Sequence, residues 1–219
     1  MATPTYADGL RELRGNLTNM LPNDALRVFD TDAAQLADTH PTPLKLNVGD
    51  YAPDFELPDA DGQSVRLSGL LADGPVVLTF YRGAWCPYCN LYLAQLQQHQ
   101  EEIKAAGAQL VAVSPQRPDP AKDMATKNAL TFPVLSDEGN TIAEDFTTVF
   151  RNGDAPVATM TALGFDFDGF YADDSRGLPV PATFVIGQDR RIRFAASAGG
   201  DYRQRVEPTA VLNALTATV

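Results

Sequence analysis

The sequence has few of the residues on which several classes of protein depend. It holds two cysteines, two histidines and one tryptophan. No apolar run approaches the ~18 to 20 residues that a membrane-spanning helix needs. Acidic residues outnumber basic ones by 28 to 17, and the net charge of -11 repels phosphate backbones and anionic lipid surfaces. We therefore expect neither a nucleic-acid partner nor a membrane partner.

Other absences narrow the chemistry. There is no Gly-x-Gly-x-x-Gly and no phosphate loop, so no nucleotide or other cofactor is predicted. His40 and His99 lie beside no nucleophile, which leaves hydrolase triads without support, and His99 is most simply a solvated helix residue. A single Cys-x-x-Cys supplies two metal ligands, and neither histidine has metal-ligand spacing to it, so we predict no metal site.

The same scarcity bears on location. The first eight residues, MATPTYAD, lack the basic and apolar regions of a signal peptide. Two cysteines are too few for a disulfide framework of the kind that secreted domains use. We expect a cytoplasmic protein.

At 219 residues the chain suits one domain with an appended segment. Apolar residues recur at helical spacing from Tyr6 to Leu36, with a break at Pro22, and predict two amphipathic helices. The Pro-rich stretch 40–43 then acts as a stiff linker. We expect an N-terminal helical extension and linker over 1–43 and an α/β domain over 44–219.

The remainder alternates between apolar strands and helical patterns. Strands are predicted at 75–81, 109–113 and 132–135, helices at 87–105, 120–129 and 141–150, and a long loop with short structured pieces at 151–181. A hairpin at 183–186 and 191–195 and a helix at 208–215 follow. This order predicts a central mixed sheet flanked by helices, mostly parallel with an antiparallel edge.

The two cysteines stand together where a buried strand passes into a helix, in the segment Trp85-Cys86-Pro87-Tyr88-Cys89. Pro87 suits the first helical position, which places Cys86 at the N-cap. Free backbone N–H groups and the helix dipole lower the pKa of a thiol there, and a nearby Arg82 adds to the effect. We expect Cys86 to be exposed and to have the lower pKa.

Cys89 follows one helical turn later, and side chains at this spacing lie within the reach of a disulfide. The pattern favours a pair that opens and closes reversibly. The alternative is two buried core cysteines that act as small hydrophobic residues.

These features resemble the thioredoxin-fold superfamily, and within it the peroxiredoxin-like (AhpC/TSA) branch that contains Cys-x-x-Cys. The segment 49–57, the cysteine segment and Val180-Pro181-Ala182-Thr183-Phe184 carry the resemblance. It implies a thioredoxin-like fold and a cis Val180–Pro181 bond that faces the cysteines. It also implies a site shaped by six residues besides Cys86 and Cys89: Arg82, Trp85, Pro87, Tyr88, Val180 and Pro181.

The chain departs from the peroxiredoxin motif Pro-x-x-x-Thr-x-x-Cys. Arg82 occupies the position of its proline, Cys86 that of its threonine and Cys89 that of the peroxidatic cysteine. Pro181 occupies the position of the arginine that assists peroxide cleavage in the family. In a thioredoxin frame Cys86 attacks and Cys89 resolves, whereas in a peroxiredoxin frame Cys89 is oxidised and Cys86 condenses with it.

The resemblance implies a thiol-dependent oxidoreductase that reduces peroxides through a Cys86/Cys89 dithiol-disulfide cycle. One alternative is thioredoxin- or glutaredoxin-like exchange with protein or glutathione disulfides, and another is a non-enzymatic redox sensor or interaction module. The expected partners are a peroxide or disulfide substrate and a thioredoxin- or glutathione-type reductant. The apolar faces of the N-terminal helices need cover, either from their own domain or from a second copy in a homodimer.

Overall fold

The computed structural model describes residues 5–217. Its helices are α1 (Tyr6–Met20), α2 (Asn23–Thr39), α3 (Leu67–Asp73), α4 (Pro87–Gln98), α5 (Gln100–Ala105), α6 (Pro118–Lys127), α7 (Ala143–Phe146), α8 (Asp154–Ala162) and α9 (Pro208–Thr216). Its strands are β1 (Glu56–Pro58), β2 (Ser64–Arg66), β3 (Val76–Phe80), β4 (Gln109–Ser114), β5 (Val134–Ser136), β6 (Val149–Arg151), β7 (Gly177–Pro179), β8 (Ala182–Ile186) and β9 (Ile192–Ala196).

Five strands form the central sheet in the order β5-β4-β3-β8-β9. β3, β4 and β5 run parallel, while β8 pairs antiparallel with β3 and with β9. All five residues of β3 are buried, since helices cover both faces of the sheet. Val77 packs into the core on one face, and Val76, Leu78 and Phe80 pack into the core on the other. The predicted mixed sheet with an antiparallel edge is confirmed.

The two N-terminal helices form as predicted. Thr5 caps α1 in a capping box with Asp8, and Pro22 stands between the helices as the N-cap of α2. α1 packs against α4 and α2 packs against α8. The chain's own domain therefore covers part of the apolar faces of both helices, while Met20 stays 77% exposed.

Three local predictions are wrong. The helix predicted at 87–105 breaks at His99, which is buried with Nδ1 2.7 Å from Glu102 Oε1 rather than solvated. The helix predicted at 141–150 ends at Phe146, because the chain then pairs as β6 with β7. The long loop with short structured pieces predicted at 151–181 contains α8, whose residues Val157 and Met160 belong to a third apolar cluster.

No helix within residues 5–217 has both the length and the apolar character needed to cross a membrane.

Candidate active site

The site lies in the turn between β3 and α4, and side chains hold this turn in shape. Asn90 Nδ2 donates to the carbonyls of Ala84, at 2.7 Å, and Cys86, at 2.9 Å. Gln116 Oε1 accepts from the Ala84 N–H at 2.7 Å. Gly83 adopts φ +154°, and a Cβ there would lie 2.7 Å from Trp85 Nε1. The turn is therefore built for one backbone conformation.

Cys86 is the N-cap of α4 and Pro87 begins the helix, as predicted. The expected exposure of Cys86 is wrong, because the side chains of both cysteines are buried and both are free thiols. Packing against neighbouring elements decides the exposure of the Cys86 side chain, and its N-cap position in the local backbone does not.

The expected order of the two pKa values is also wrong. Burial opposes ionisation of Cys89, but four favourable interactions outweigh it and lower the pKa of Cys89 to about 5. They are a hydrogen bond from the Cys86 thiol, the charge of the Arg205 guanidinium, a backbone hydrogen bond from Arg82 and the charge of Arg82. Burial, together with the hydrogen bond to Cys89 and the charge on it, raises the pKa of Cys86 well above its usual value. The surroundings thus favour a negative charge on Cys89 over one on Cys86.

Arg205 contacts the sulfur directly, since its Nη2 donates to Cys89 Sγ at 3.1 Å. At about 4 Å a pair of unit charges is worth about 4 kcal/mol for an effective dielectric constant of about 20. One pKa unit corresponds to about 1.4 kcal/mol. A guanidinium at this distance is therefore strong enough to offset the burial of a thiolate.

The surroundings of Arg205 leave its charge available to Cys89. Nη1 donates to the carbonyls of Tyr202 and Gln204, both at 2.6 Å. Within residues 5–217 no carboxylate oxygen lies at ion-pair distance from this guanidinium. Sequence reasoning missed Arg205, because it lies 116 residues from Cys89 in a segment that carries no motif.

Arg82 is buried beneath the cysteines and faces aromatic rings. Its Cζ lies 3.8 Å from the ring centroid of Tyr202 and 4.8 Å from that of Trp85. Nη2 donates to Asn152 Oδ1 at 3.5 Å, while Arg82 Nε and Asn152 Nδ2 have no hydrogen-bond partner among the described residues. Burial raises the pKa of the neighbouring Asp32 although the charge of Arg82 opposes this. Both of these donor atoms are themselves buried, so the hydrogen-bonding capacity of this cluster is not fully used among the described residues.

A cavity of about 210 Å³ opens beside this cluster. Its floor contains five of the predicted site residues, namely Arg82, Trp85, Cys86, Pro87 and Tyr88. The N-terminal helices and the turn between them supply one apolar wall, Leu17, Met20, Leu21, Leu26 and Phe29, and the α8 region supplies the other, Pro156, Met160, Leu163 and Phe165. Cys86 lines the cavity and Cys89 does not.

Trp85 and Tyr88 are held by hydrogen bonds at the cavity floor. Trp85 Nε1 donates to Tyr171 Oη at 2.6 Å, and that hydroxyl donates to the Arg82 carbonyl at 2.9 Å. Arg14 Nη1 donates to Tyr88 Oη at 3.3 Å. Hydrogen bonds with Tyr171 and with Arg14 of α1 therefore hold Trp85 and Tyr88 in place.

The predicted cis bond between Val180 and Pro181 is wrong. This bond is trans, and no cis peptide bond occurs within residues 5–217. The chain runs directly from β7 into β8, and both carbonyls of the dipeptide are held: Thr147 Oγ1 donates to Val180 O at 3.0 Å and Ser197 Oγ to Pro181 O at 2.7 Å. Val180 still packs in the same cluster as Trp85, which places this loop beside the site.

Metal ligands are not grouped here. Residues 5–217 contain no cluster of three or more His, Cys, Asp or Glu side chains able to hold a metal ion.

A mixed sheet with a Cys-x-x-Cys at this strand-helix junction places the chain among proteins of the thioredoxin fold. The solved structure of peroxidoxin BcpB from Mycobacterium tuberculosis has the same fold, with a TM-score of 0.62 and 29% identity, and the match covers 80% of this chain and 99% of that one. The AhpC/TSA family profile matches residues 48–195. The chain belongs to the AhpC/TSA family.

Two curated relatives support this assignment. Peroxiredoxin Bcp of Escherichia coli is 36% identical over 101 residues, which cover 46% of this chain and 64% of that protein. The match therefore spans less than two thirds of that relative. A putative peroxiredoxin of Mycobacterium tuberculosis is 29% identical over 152 residues, which cover 69% of this chain and 85% of that protein.

Proposed function

We propose that the protein is an enzyme that reduces peroxides with electrons from thiols, by cycling between the Cys86/Cys89 dithiol and its disulfide. The observation that carries this proposal is the Cys89 sulfur, which Arg205 contacts at 3.1 Å and whose pKa is lowered to about 5. A thiolate is the reactive form of cysteine toward peroxides. The names of the relatives, peroxiredoxins, support the same activity.

In the first step the Cys89 thiolate attacks the terminal oxygen of a hydroperoxide. An S–O bond forms, the O–O bond breaks, and the sulfur becomes a sulfenic acid. The leaving alkoxide takes the proton of the Cys86 thiol and departs as an alcohol. Cys86 lines the cavity where that alkoxide forms, so its proton is available there.

In the second step the Cys86 thiolate attacks the sulfur of the sulfenic acid. The S–S bond forms and hydroxide leaves, which takes a proton from solvent to become water. The two sulfurs have together lost two electrons, and the peroxide has become an alcohol and water. A thioredoxin- or glutathione-type thiol then reduces the disulfide by exchange, and a reducing compartment such as the cytoplasm supplies that thiol.

This scheme accounts for two of the three departures from the family pattern, those at Cys86 and Pro181. Cys86 stands where the motif has threonine, and its thiol replaces the hydroxyl as a donor. Arg205 and Arg82 provide the positive charge that Pro181 cannot provide. Hydrogen-bond donors aimed at developing negative charge are a large source of rate acceleration.

The cavity supports organic hydroperoxides with an apolar substituent as substrates. Its walls are apolar on both sides, and the polar residues Arg82 and Asn152 also line it. An apolar substituent would pack against the walls, and the peroxide oxygens would accept from the floor. Because both sulfurs are buried, the side chains around Cys86 must move aside before a peroxide oxygen reaches Cys89.

Thiol-disulfide exchange through Cys86 is the second candidate, because Cys86 and not Cys89 lines the cavity. Two observations weigh against it. The pKa of Cys86 is raised, so little thiolate forms there at neutral pH. Its side chain is also fully buried, which hinders a bulky protein disulfide. A homodimer stays a prediction, to be checked by the mass of the protein in solution.

The test is peroxide turnover by the full chain with a thiol reductant, together with mass spectrometry of alkylated cysteines. Peroxide should remove both thiols at once and form an intramolecular disulfide. Cys86→Ser should still form a sulfenic acid at Cys89, whereas Cys89→Ser should be inactive toward peroxide. If sulfenic-acid labelling appears at Cys86 in Cys89→Ser and not at Cys89 in Cys86→Ser, the result would favour thiol-disulfide exchange over peroxide reduction. Oxidation without turnover would indicate a sensor.

A further inference from the structure

Arg205 reaches Cys89 from a segment, residues 200–207, that lies outside the part of the chain matched by the family. Several hydrogen bonds and ion pairs anchor this segment to the N-terminal helices, and the Tyr202 ring also packs against Arg82 and Tyr88. The Gly200 N–H donates to His40 O at 2.9 Å, and Tyr202 Oη donates to Phe29 O at 2.8 Å. One end of the segment is thus tied to α2 and the residue that follows it.

The other end is tied to the start of α1. The Glu207 carboxylate accepts from the N–H groups of Tyr6, at 2.7 Å, and Ala7, at 3.1 Å. Tyr6 Oη donates to Arg203 O at 2.7 Å. These contacts fix the backbone two residues before and two residues after Arg205.

An ion-pair network holds the middle of the segment. Asp30 of α2 accepts from Arg203 Nη1 at 2.8 Å, and the same carboxylate accepts from Arg14 of α1 at 2.6 Å. Asp201 Oδ1 accepts from Arg203 Nε at 2.8 Å. α2 therefore binds the segment that carries Arg205 through Asp30, and α1 contacts the same carboxylate through Arg14.

We propose that α1 and α2 hold the Arg205 guanidinium against Cys89 Sγ, with Tyr6, Asp30 and Glu207 as positioning residues for the thiolate. The inference rests on the proposed function only in taking Cys89 as the reacting sulfur. Arg205 has no carboxylate within residues 5–217 to hold it, and its Nη1 bonds only to carbonyls of its own segment. Its placement therefore depends on where the segment itself is held.

Glu207→Gln tests this with a change whose two possible effects differ in sign. Removing a nearby negative charge, taken alone, favours the thiolate and lowers the pKa of a thiol. Loosening the segment withdraws Arg205 and raises that pKa. We expect the pKa of Cys89 to rise by about one unit. At a pH below the transition, this rise corresponds to about tenfold less thiolate. The measurement is thiolate absorbance at 240 nm against pH in a Cys86→Ser background, where Cys89 is the remaining thiol.

Tyr6→Phe tests the same idea without altering a charge. It removes only the hydroxyl that donates to Arg203 O, and we expect a smaller rise in the pKa of Cys89. Glu12→Gln, on the exposed side of α1, and Tyr51→Phe, at an exposed position, are the matched controls and should leave the titration unchanged.

An Arg205→Ala background separates positioning from a general loss of structure. If the helices act through Arg205, Glu207→Gln should shift the titration in the presence of Arg205 and add no further rise in its absence. A lowered or unchanged pKa in Glu207→Gln, or an equal rise in both backgrounds, would overturn the inference. The titration needs no substrate. If the pKa shifts appear as expected but the protein does not turn over peroxide, the proposed function is refuted and the inference about Arg205 stands.

Discussion

Residues 48–195, matched by the AhpC/TSA family, and the segments that flank them contribute different parts of the site. The matched region supplies the sheet, both cysteines and Arg82. The flanks supply Arg205, which contacts Cys89, and the apolar wall from α1 and α2. The reactive sulfur is thus part of the family fold, whereas the Arg205 guanidinium that contacts it lies outside that fold.

This difference teaches that a missing motif residue need not mean a missing charge. Within the matched region the positions of the motif threonine and arginine hold Cys86 and Pro181. A guanidinium nevertheless lies 3.1 Å from the Cys89 sulfur, delivered from beyond the sheet. A reading confined to the matched region would therefore underestimate the acidity of Cys89.

The largest expected effect comes from removing the flank's charge. Arg205→Ala should lower kcat/KM for peroxide by about tenfold or more at neutral pH, because the fraction of Cys89 present as thiolate falls as its pKa rises. Steady-state kinetics measure it. The control is Arg193→Ala, at a half-buried position that pairs with Asp189 and does not line the cavity. Activity within twofold of the parent protein would show that the matched region is sufficient.

The second effect concerns how closely the flanks approach each other. A Cβ at Gly200 would lie 1.9 Å from the carbonyl oxygen of Leu36, a backbone atom that cannot move aside without shifting α2. Gly200→Ala should lower the free energy of unfolding by about 1 to 3 kcal/mol, as overpacking does. Gly15→Ala meets no atom within 4 Å and should stabilise α1 by up to about 1 kcal/mol. Denaturant unfolding measures the free energy of unfolding of both variants. Equal values for Gly200→Ala and Gly15→Ala would contradict the close contact between Gly200 and Leu36.

Much of the fold was predictable because it rests on local pattern. The buried strand Val76–Phe80, the proline that opens α4 and the break at Pro22 all mark their elements in the sequence. The paired cysteines likewise identified the site. These are features of neighbouring residues, so composition and spacing suffice to find them.

What the sequence could not indicate depends on contacts between distant residues. Arg205 was missed because only tertiary packing brings it to Cys89. The exposure expected for Cys86 was wrong because other elements cover its helix N-terminus. The cis bond expected at Pro181 was wrong because the chain continues straight between two strands, with its carbonyls already paired.

A smaller effect is expected where the N-terminal helices line the cavity. Leu26→Trp places a large ring in the apolar wall and should raise KM for a bulky substrate such as cumene hydroperoxide by about tenfold, equivalent to about 1.4 kcal/mol of binding. Hydrogen peroxide needs no apolar wall, so its kinetics should change little. Val48→Trp, at a position 64% exposed, is the control. An equal change for both peroxides would argue against the cavity as the substrate site.

Thiolate absorbance at 240 nm against pH, compared between Cys86→Ser and Cys86→Ser/Arg205→Ala, tests the central claim most directly. Cys89 is the only thiol in both proteins, and the serine hydroxyl keeps a donor at position 86. With Arg205 present the pKa of Cys89 should lie well below its ordinary value, because the charges of Arg205 and Arg82 favour the thiolate. Without Arg205 the transition should move up toward the ordinary value of about 8.5. Coincident titrations of the two proteins would contradict the claim that the flank of the family fold makes Cys89 a thiolate.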